Sequence, residues 1–342
     1  MTALDAVLLW AAAAASTTPD AACAGCHRAQ VQAWAGNSMS KALYTPLDSA
    51  ILRDNSRLDF TLGRFAYRIE RRGGDSIYTV TDGATTLSAP IRYAFGQGFA
   101  GQTYAYQHDG KWYESRLSYY QETKALDLTM GAPPGEPKTV VEAAGREMTQ
   151  KDVVECFACH TTNSVKRAPG QSPAIDFANL QAGVGCESCH AGAPAHAAGF
   201  SARPPKAAPI AKLAQLGTEE QNDFCGRCHR TWADIATNGP RGIGNVRFQP
   251  YRLANSKCYD ATDARISCTA CHSVHAALNR NLSSYDAKCA ACHSTAAKTR
   301  TCPKAAKDCA SCHMPRIEIP GSHHLFTDHQ IRIVRTHEPY PN

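Results

Sequence analysis

The chain has 342 residues, of which 43% are hydrophobic and 8% aromatic, and it carries 16 cysteines. Its formal charge is +6. No Lys/Arg run of the kind that tracks a phosphate backbone accompanies that charge, which argues against nucleic acid as a partner. The apolar content is modest for this length, which excludes a core built on Leu, Ile and Phe alone.

Residues 1–20 are expected to form an export signal. Ala6 to Ala15, with Leu8, Leu9 and Trp10, is an apolar stretch ending in small residues. No Lys or Arg precedes it, and Asp5 does. The mature chain is expected to start between Ser16 and Ala22. No later stretch approaches the length of a membrane span, so the mature chain is expected to have no transmembrane segment. Residues 21–54 hold a single Cys-x-x-Cys-His motif, Cys23-Ala-Gly-Cys26-His27.

Residues 55–148 read as a β-rich insertion. Phe65-Ala-Tyr-Arg-Ile-Glu alternates apolar with polar, Gly73-Gly74-Asp75 supplies a turn, and Ile77-Tyr-Thr-Val continues the alternation. Thr103-Tyr-Ala-Tyr-Gln, a turn at His108-Asp109-Gly110 and Lys111-Trp-Tyr-Glu-Ser-Arg-Leu predict a second hairpin. Gly131 to Lys138, rich in Pro and Gly, closes the region.

Residues 149–342 carry six further motifs, spaced unevenly between Ala-rich segments and short loops. They are Cys156-Phe-Ala-Cys159-His160, Cys186-Glu-Ser-Cys189-His190, Cys225-Gly-Arg-Cys228-His229, Cys268-Thr-Ala-Cys271-His272, Cys289-Ala-Ala-Cys292-His293 and Cys309-Ala-Ser-Cys312-His313. Thr218-Glu-Glu-Gln-Asn-Asp-Phe predicts a capped helix running into the fourth motif. This region is expected to be helical and irregular with little conventional core. The predicted fold class is therefore mainly α and irregular, with stacked haems as core and a small antiparallel β module after the first haem.

Haem enters this reading through the chemistry of the motif. Two Cys three apart lie on one face of a helical turn and form thioethers with the two vinyl groups of haem c, and the following His ligates the iron. At this Cys and His content, chance supplies on the order of 0.03 matches, so seven are not coincidence. Zinc knuckles and thioredoxin-like pairs do not explain a His after every second Cys. Seven haem c groups leave about 49 residues per haem. The haem-free chain is accordingly expected to be largely unfolded. Two ionised propionates per haem turn the +6 into about −1 with all irons ferric and about −8 with all ferrous.

Seven His remain beyond the motifs. His196 and His275 stand too close to His190 and His272 to serve the same iron, and are expected to reach neighbouring haems. His323 and His329 are candidate ligands, with Asp328 expected to orient an imidazole. His108 reads as solvated in its turn, while His324 and His337 stay open between ligand and surface. Met39 is a candidate thioether ligand, with gap-filling packing as the alternative. Met314 is expected to pack. Cys258 and Cys302 lie outside the motifs. An oxidising compartment favours a disulfide between them over two free thiols.

Several elements resemble exported multihaem cytochromes of the superfamily that includes cytochrome c nitrite reductase, hydroxylamine oxidoreductase and the tetrahaem cytochrome of ammonia oxidisers. They are the first motif followed by Trp34-x-x-x-Ser38-Met39; Gly185 to His196; Ser256-Lys-Cys258-Tyr; Cys268 to His275; Cys309 to Pro315; and His323 to Ile331. The resemblance implies closely packed haem pairs, cross-haem ligation by His196, His275, His323 and His329, and a ligand role at position 39. It also implies counterparts of Cys258 and Cys302. No Cys-x-x-Cys-Lys motif is present, and neither an eighth haem nor a cross-linking Tyr can be placed. The expected function is electron transfer in the periplasm or outside the cell, with redox partner proteins. One alternative is an oxidoreductase in which one open iron, at the first haem, acts on nitrogen or sulfur oxyanions. The other is a subunit of a cytochrome filament made of copies of the chain, with His337 ligating in the next subunit.

Overall fold

The computed structural model describes residues 19–133, 135–202, 204–206, 208–293, 302–335 and 337–341. Most of the stretch read as an export signal lies outside the described residues. The first helix nevertheless begins at Pro19, inside that stretch.

The dominant element is a nine-stranded antiparallel sheet. Its strands are β1 (Leu43–Tyr44), β2 (Arg57–Leu62), β3 (Phe65–Arg72), β4 (Asp75–Thr81), β5 (Thr86–Gly98), β6 (Gly101–His108), β7 (Lys111–Tyr120), β8 (Ala125–Leu128) and β9 (Gly145–Glu147). β2 to β8 run as a meander, with β1 added against β5 and β9 against β7. Both expected hairpins are present. Gly73, at positive φ, turns β3 into β4, and Asp109-Gly110, both at positive φ, join β6 to β7. Two positive φ values in a two-residue loop match the right-handed twist of the flanking strands.

β5 changes partners along its length. Residues 86–90 pair with β4, and residues 91–98 pair with β6 across two register shifts. Such bulges bend a strand and raise its twist. The bend brings β2 against β8, and the sheet is nearly barrel-shaped.

The inner face is aromatic. Phe65, Tyr67, Ile69, Tyr78, Val80, Tyr104, Tyr106 and Leu117 are almost completely buried. Helix α4 (Val140–Ala144; α1 to α3 are Pro19–Cys23, Arg28–Trp34 and Ala50–Asp54) closes this core with Val140, Ala143 and Ala144. Tyr78 Oη donates to Ala144 O at 3.0 Å. Gly145 then starts β9 in a place where a Cβ would lie 2.0 Å from Glu114 O, so no other residue fits there.

The expected fold class is corrected here. Helix and strand take up 32% and 24% of the structure, and the chain is not mainly helical around stacked haems. The sheet buries a conventional hydrophobic core between Leu52 and Ala144, where the expected fold class had stacked haems as the core. That core rests on Tyr and β-branched side chains, which fill a pleated surface without raising the Leu and Ile content.

The helices beyond the sheet are short: α5 (Gln150–His160), α6 (Ala193–Ser201), α7 (Thr218–His229), α8 (Trp232–Asn238), α9 (Gln249–Ala254), α10 (Cys268–Cys271), α11 (Asp286–Ala290) and α12 (Cys309–His313). Thr149 and Asp152 form a capping box on α5. The N-cap of α7 lies one residue before the expected one, at Gly217, whose N–H donates to Glu220 at 2.9 Å.

Candidate functional site

Each Cys-x-x-Cys-His motif occupies one tight helical turn. In four of them the His N–H donates to the first Cys carbonyl: His27 to Cys23 at 2.8 Å, His190 to Cys186 at 2.8 Å, His272 to Cys268 at 2.9 Å and His293 to Cys289 at 2.9 Å. The second, fourth and seventh motifs close the last turns of α5, α7 and α12. One turn puts both thiols and the imidazole on the same side.

The imidazoles are oriented by backbone carbonyls. Nδ1 of His160 donates to Ala42 O at 2.7 Å, that of His190 to Ala211 O at 2.9 Å, and that of His313 to Arg332 O at 2.9 Å. His196 and His329, outside the motifs, do the same to Ala208 O at 2.7 Å and Thr327 O at 3.0 Å. A carbonyl only accepts, so Nδ1 carries a proton, and in the neutral ring the lone pair is left on Nε2, the arrangement a metal-ligating His requires. Burial reinforces it: His160 is pushed towards its neutral form, and His329 is pushed down to about 4.

Two pairs of rings face each other at close to one spacing. His190 and His275 have centroids 6.0 Å apart and planes 9° apart; for His272 and His329 the values are 6.2 Å and 43°. Metal–imidazole bonds of about 2 Å on either side of one iron place two ring centroids roughly 6 Å apart.

The motifs also adjoin one another. Thiol contacts join Cys23 to Cys186, Cys159 to Cys228, Cys225 to Cys268 and Cys289 to Cys309. Arg227 of the fourth motif donates to Ser188 O of the third at 3.4 Å, and the ring of Tyr285, next to α11 of the sixth motif, lies 5.5 Å from that of His272 in the fifth. All seven motifs therefore form one connected series.

The residues fit haem c. Beyond the paired thiols and oriented imidazoles, large apolar side chains stand exposed beside the ligand candidates. Phe200 is 55% exposed with its ring 4.9 Å from His196, Trp232 is 50% exposed next to the fourth motif, and Leu278 is 57% exposed three residues after His275. An apolar disc would cover such surface.

Other expected residues are placed differently. His323 Nε2 donates to Asp127 of β8 at 2.7 Å, and its ring packs on Tyr120, so it faces no other imidazole. Asp328 does not orient His329. It is fully buried between Arg252 (2.8 and 2.9 Å) and Arg332 (2.6 Å), where these guanidiniums hold its carboxyl below the usual range against the cost of burial. Met39 is half-buried and its carbonyl accepts from Val184 N at 3.0 Å, which brings it beside the third motif. His108 stays in its turn beside Asp109, His324 packs on Phe326, and His337 is exposed. Cys258 and Cys302 are unbridged: Cys258 sits by Cys289 and Cys292, while Cys302 is exposed in its own loop.

Sequence reasoning missed Asn37. Buried next to Trp34, it donates through Nδ2 to Val274 O at 3.0 Å and Ala276 O at 2.7 Å, the carbonyls flanking His275. Its spacing to Trp34 and Met39 carried no signal for this clamp. Phe157, inside the second motif, was also missed. It packs on Tyr93, Phe95, Trp112 and Phe177, which ties the motif to the sheet.

A site of this kind defines a c-type cytochrome class. The family model described as Cytochrome c554 and c-prime matches residues 113–191, from β7 through the third motif. That stretch is similar to the family, and the match supports haem c as cofactor and electron transfer as activity. No curated protein and no solved structure matches the chain. Among the described residues, no helix is long and apolar enough to cross a membrane.

Proposed function

We propose that the chain is an exported heptahaem c-type cytochrome that passes single electrons through closely packed, mainly bis-histidine haems to redox partner proteins. The observation that carries this reading is the series of hydrogen bonds, ion pair and ring contact that links neighbouring motifs, with His190 facing His275 and His272 facing His329 inside it. When bound, haem c supplies the one-electron iron couple. The chain's own residues orient the imidazoles and hold adjacent motifs together, and burial favours the neutral forms of His160 and His329. The sheet acts as a support: Phe157 and the His160–Ala42 bond fasten the second motif to it.

The test is haem counting by pyridine haemochrome, with electron paramagnetic resonance of the oxidised protein before and after cyanide or nitrite. Seven haems with only low-spin signals, unchanged by added ligand, are expected. Fewer haems overturn the count. A high-spin signal that converts on ligand addition overturns the carrier reading and redirects the search to oxyanion substrates.

A further inference from the structure

Three of the seven motifs carry Asp or Asn three residues before the first Cys: Asp20 before Cys23, Asn222 before Cys225 and Asp286 before Cys289. The corresponding residues of the other four are Val153, Gly183, Arg265 and Ala306. The same three segments reach into a second motif. Asp20 Oδ1 accepts from Cys186 N at 2.9 Å. Asp286 accepts from Asp308 N at 2.7 Å and Cys309 N at 2.8 Å. In the fourth motif, Gln221, next to Asn222, accepts from Thr269 N at 2.8 Å, and Asn222 Oδ1 faces the Cys268 thiol.

Each receiving motif lacks a cap of its own. Gly185, Ser267 and Asp308 precede Cys186, Cys268 and Cys309, and none supplies a side-chain cap. The first N–H groups of a helical turn have no partner within it. Here they are met by a side chain from another motif. In all three cases the first Cys of the giving motif touches the first Cys of the receiving one.

We infer that Asp20, the Gln221–Asn222 pair and Asp286 are positioning residues that lock the motifs into three pairs, first with third, fourth with fifth and sixth with seventh. The second motif stands outside this scheme and joins the fourth through Cys159–Cys228 and the ion pair Glu155–Arg230 at 3.0 Å. The inference rests on the haem reading above and adds to it how each attachment turn is held against its neighbour.

Asp286 is half-buried and outside the sheet core, which suits it to substitution. The readout is Soret circular dichroism of the matured full chain, in which adjacent chromophores at fixed geometry give a bisignate couplet. Asp286→Ala removes both acceptors and should weaken the couplet at unchanged haem content. Asp286→Asn keeps the acceptor for Cys309 N and should retain most of it. An unchanged couplet in the Ala variant with full haem content overturns the inference. If the Ala variant does not mature, the Asn variant decides: a couplet close to that of the parent supports the inference, and a collapsed one overturns it. Haem content of the parent, counted on the same samples, separately decides the electron-transfer reading.

Discussion

Phe157 joins the sheet to the second motif, and truncating it tests that junction. Its ring is fully buried, with centroids 5.0 Å from Tyr93, 5.2 Å from Phe95, 5.2 Å from Phe177 and 6.0 Å from Trp112. Truncating a buried Phe to Ala costs about 3–5 kcal/mol in transfer free energy and residual cavity. Edge-on aromatic pairs of this kind contribute about 0.5–1.5 kcal/mol each beyond area burial, which places Phe157→Ala at the upper end of that range. Phe157→Leu keeps most of the volume and should cost less than about 1.5 kcal/mol. The assay is guanidinium unfolding followed by far-UV circular dichroism, on samples of equal haem content, with hydrogen exchange of residues 150–160 as the local readout. The Ala variant should lower the midpoint clearly and speed exchange in α5, with the Leu variant close to the parent. A loss below about 1 kcal/mol for Ala, or an equal loss for Leu, would refute the packing argument.

Three further outcomes follow from the geometry. His275→Ala should convert one low-spin haem to high spin in the electron paramagnetic resonance spectrum; His323→Ala should leave the low-spin population intact, since its Nε2 is committed to Asp127. Low-spin loss in the His323 variant would show that this bond gives way to iron. Asp328→Ala strands the fully buried Arg252 and should cost about 3–5 kcal/mol in denaturant unfolding, while the double change Arg252→Met, Asp328→Leu should recover much of it. Equal losses in the single and double variants would argue that the pair contributes more than mutual compensation. Haem-free chain should keep its β signal in far-UV circular dichroism, because the sheet core contains no haem-attachment residue. A coil-like spectrum would restore the expectation of an unfolded apo chain.

The chemistry of the motifs was legible residue by residue, because thioether formation demands two thiols and an imidazole within one turn, and local spacing alone satisfies that demand. Both hairpins were legible for the same reason: alternation and a two-residue turn are short-range signals. The weight of the sheet was not. β1 and β9 are two and three residues long, and they join it through partners far along the chain. The bend of β5 comes from bulges that leave no pattern in composition. Asp328 lay beside a ligand candidate, yet its charge is claimed by Arg252, 76 residues away in sequence.

By itself, then, the sequence determined which residues can carry haem c and where the β-rich stretch lies, since both depend on neighbours a few positions apart. Only the tertiary structure decided that His190 meets His275, that His272 meets His329, that His323 turns to Asp127, and which motifs abut. Those outcomes depend on how distant segments satisfy backbone polar groups and fill volume together, and no local pattern encodes that.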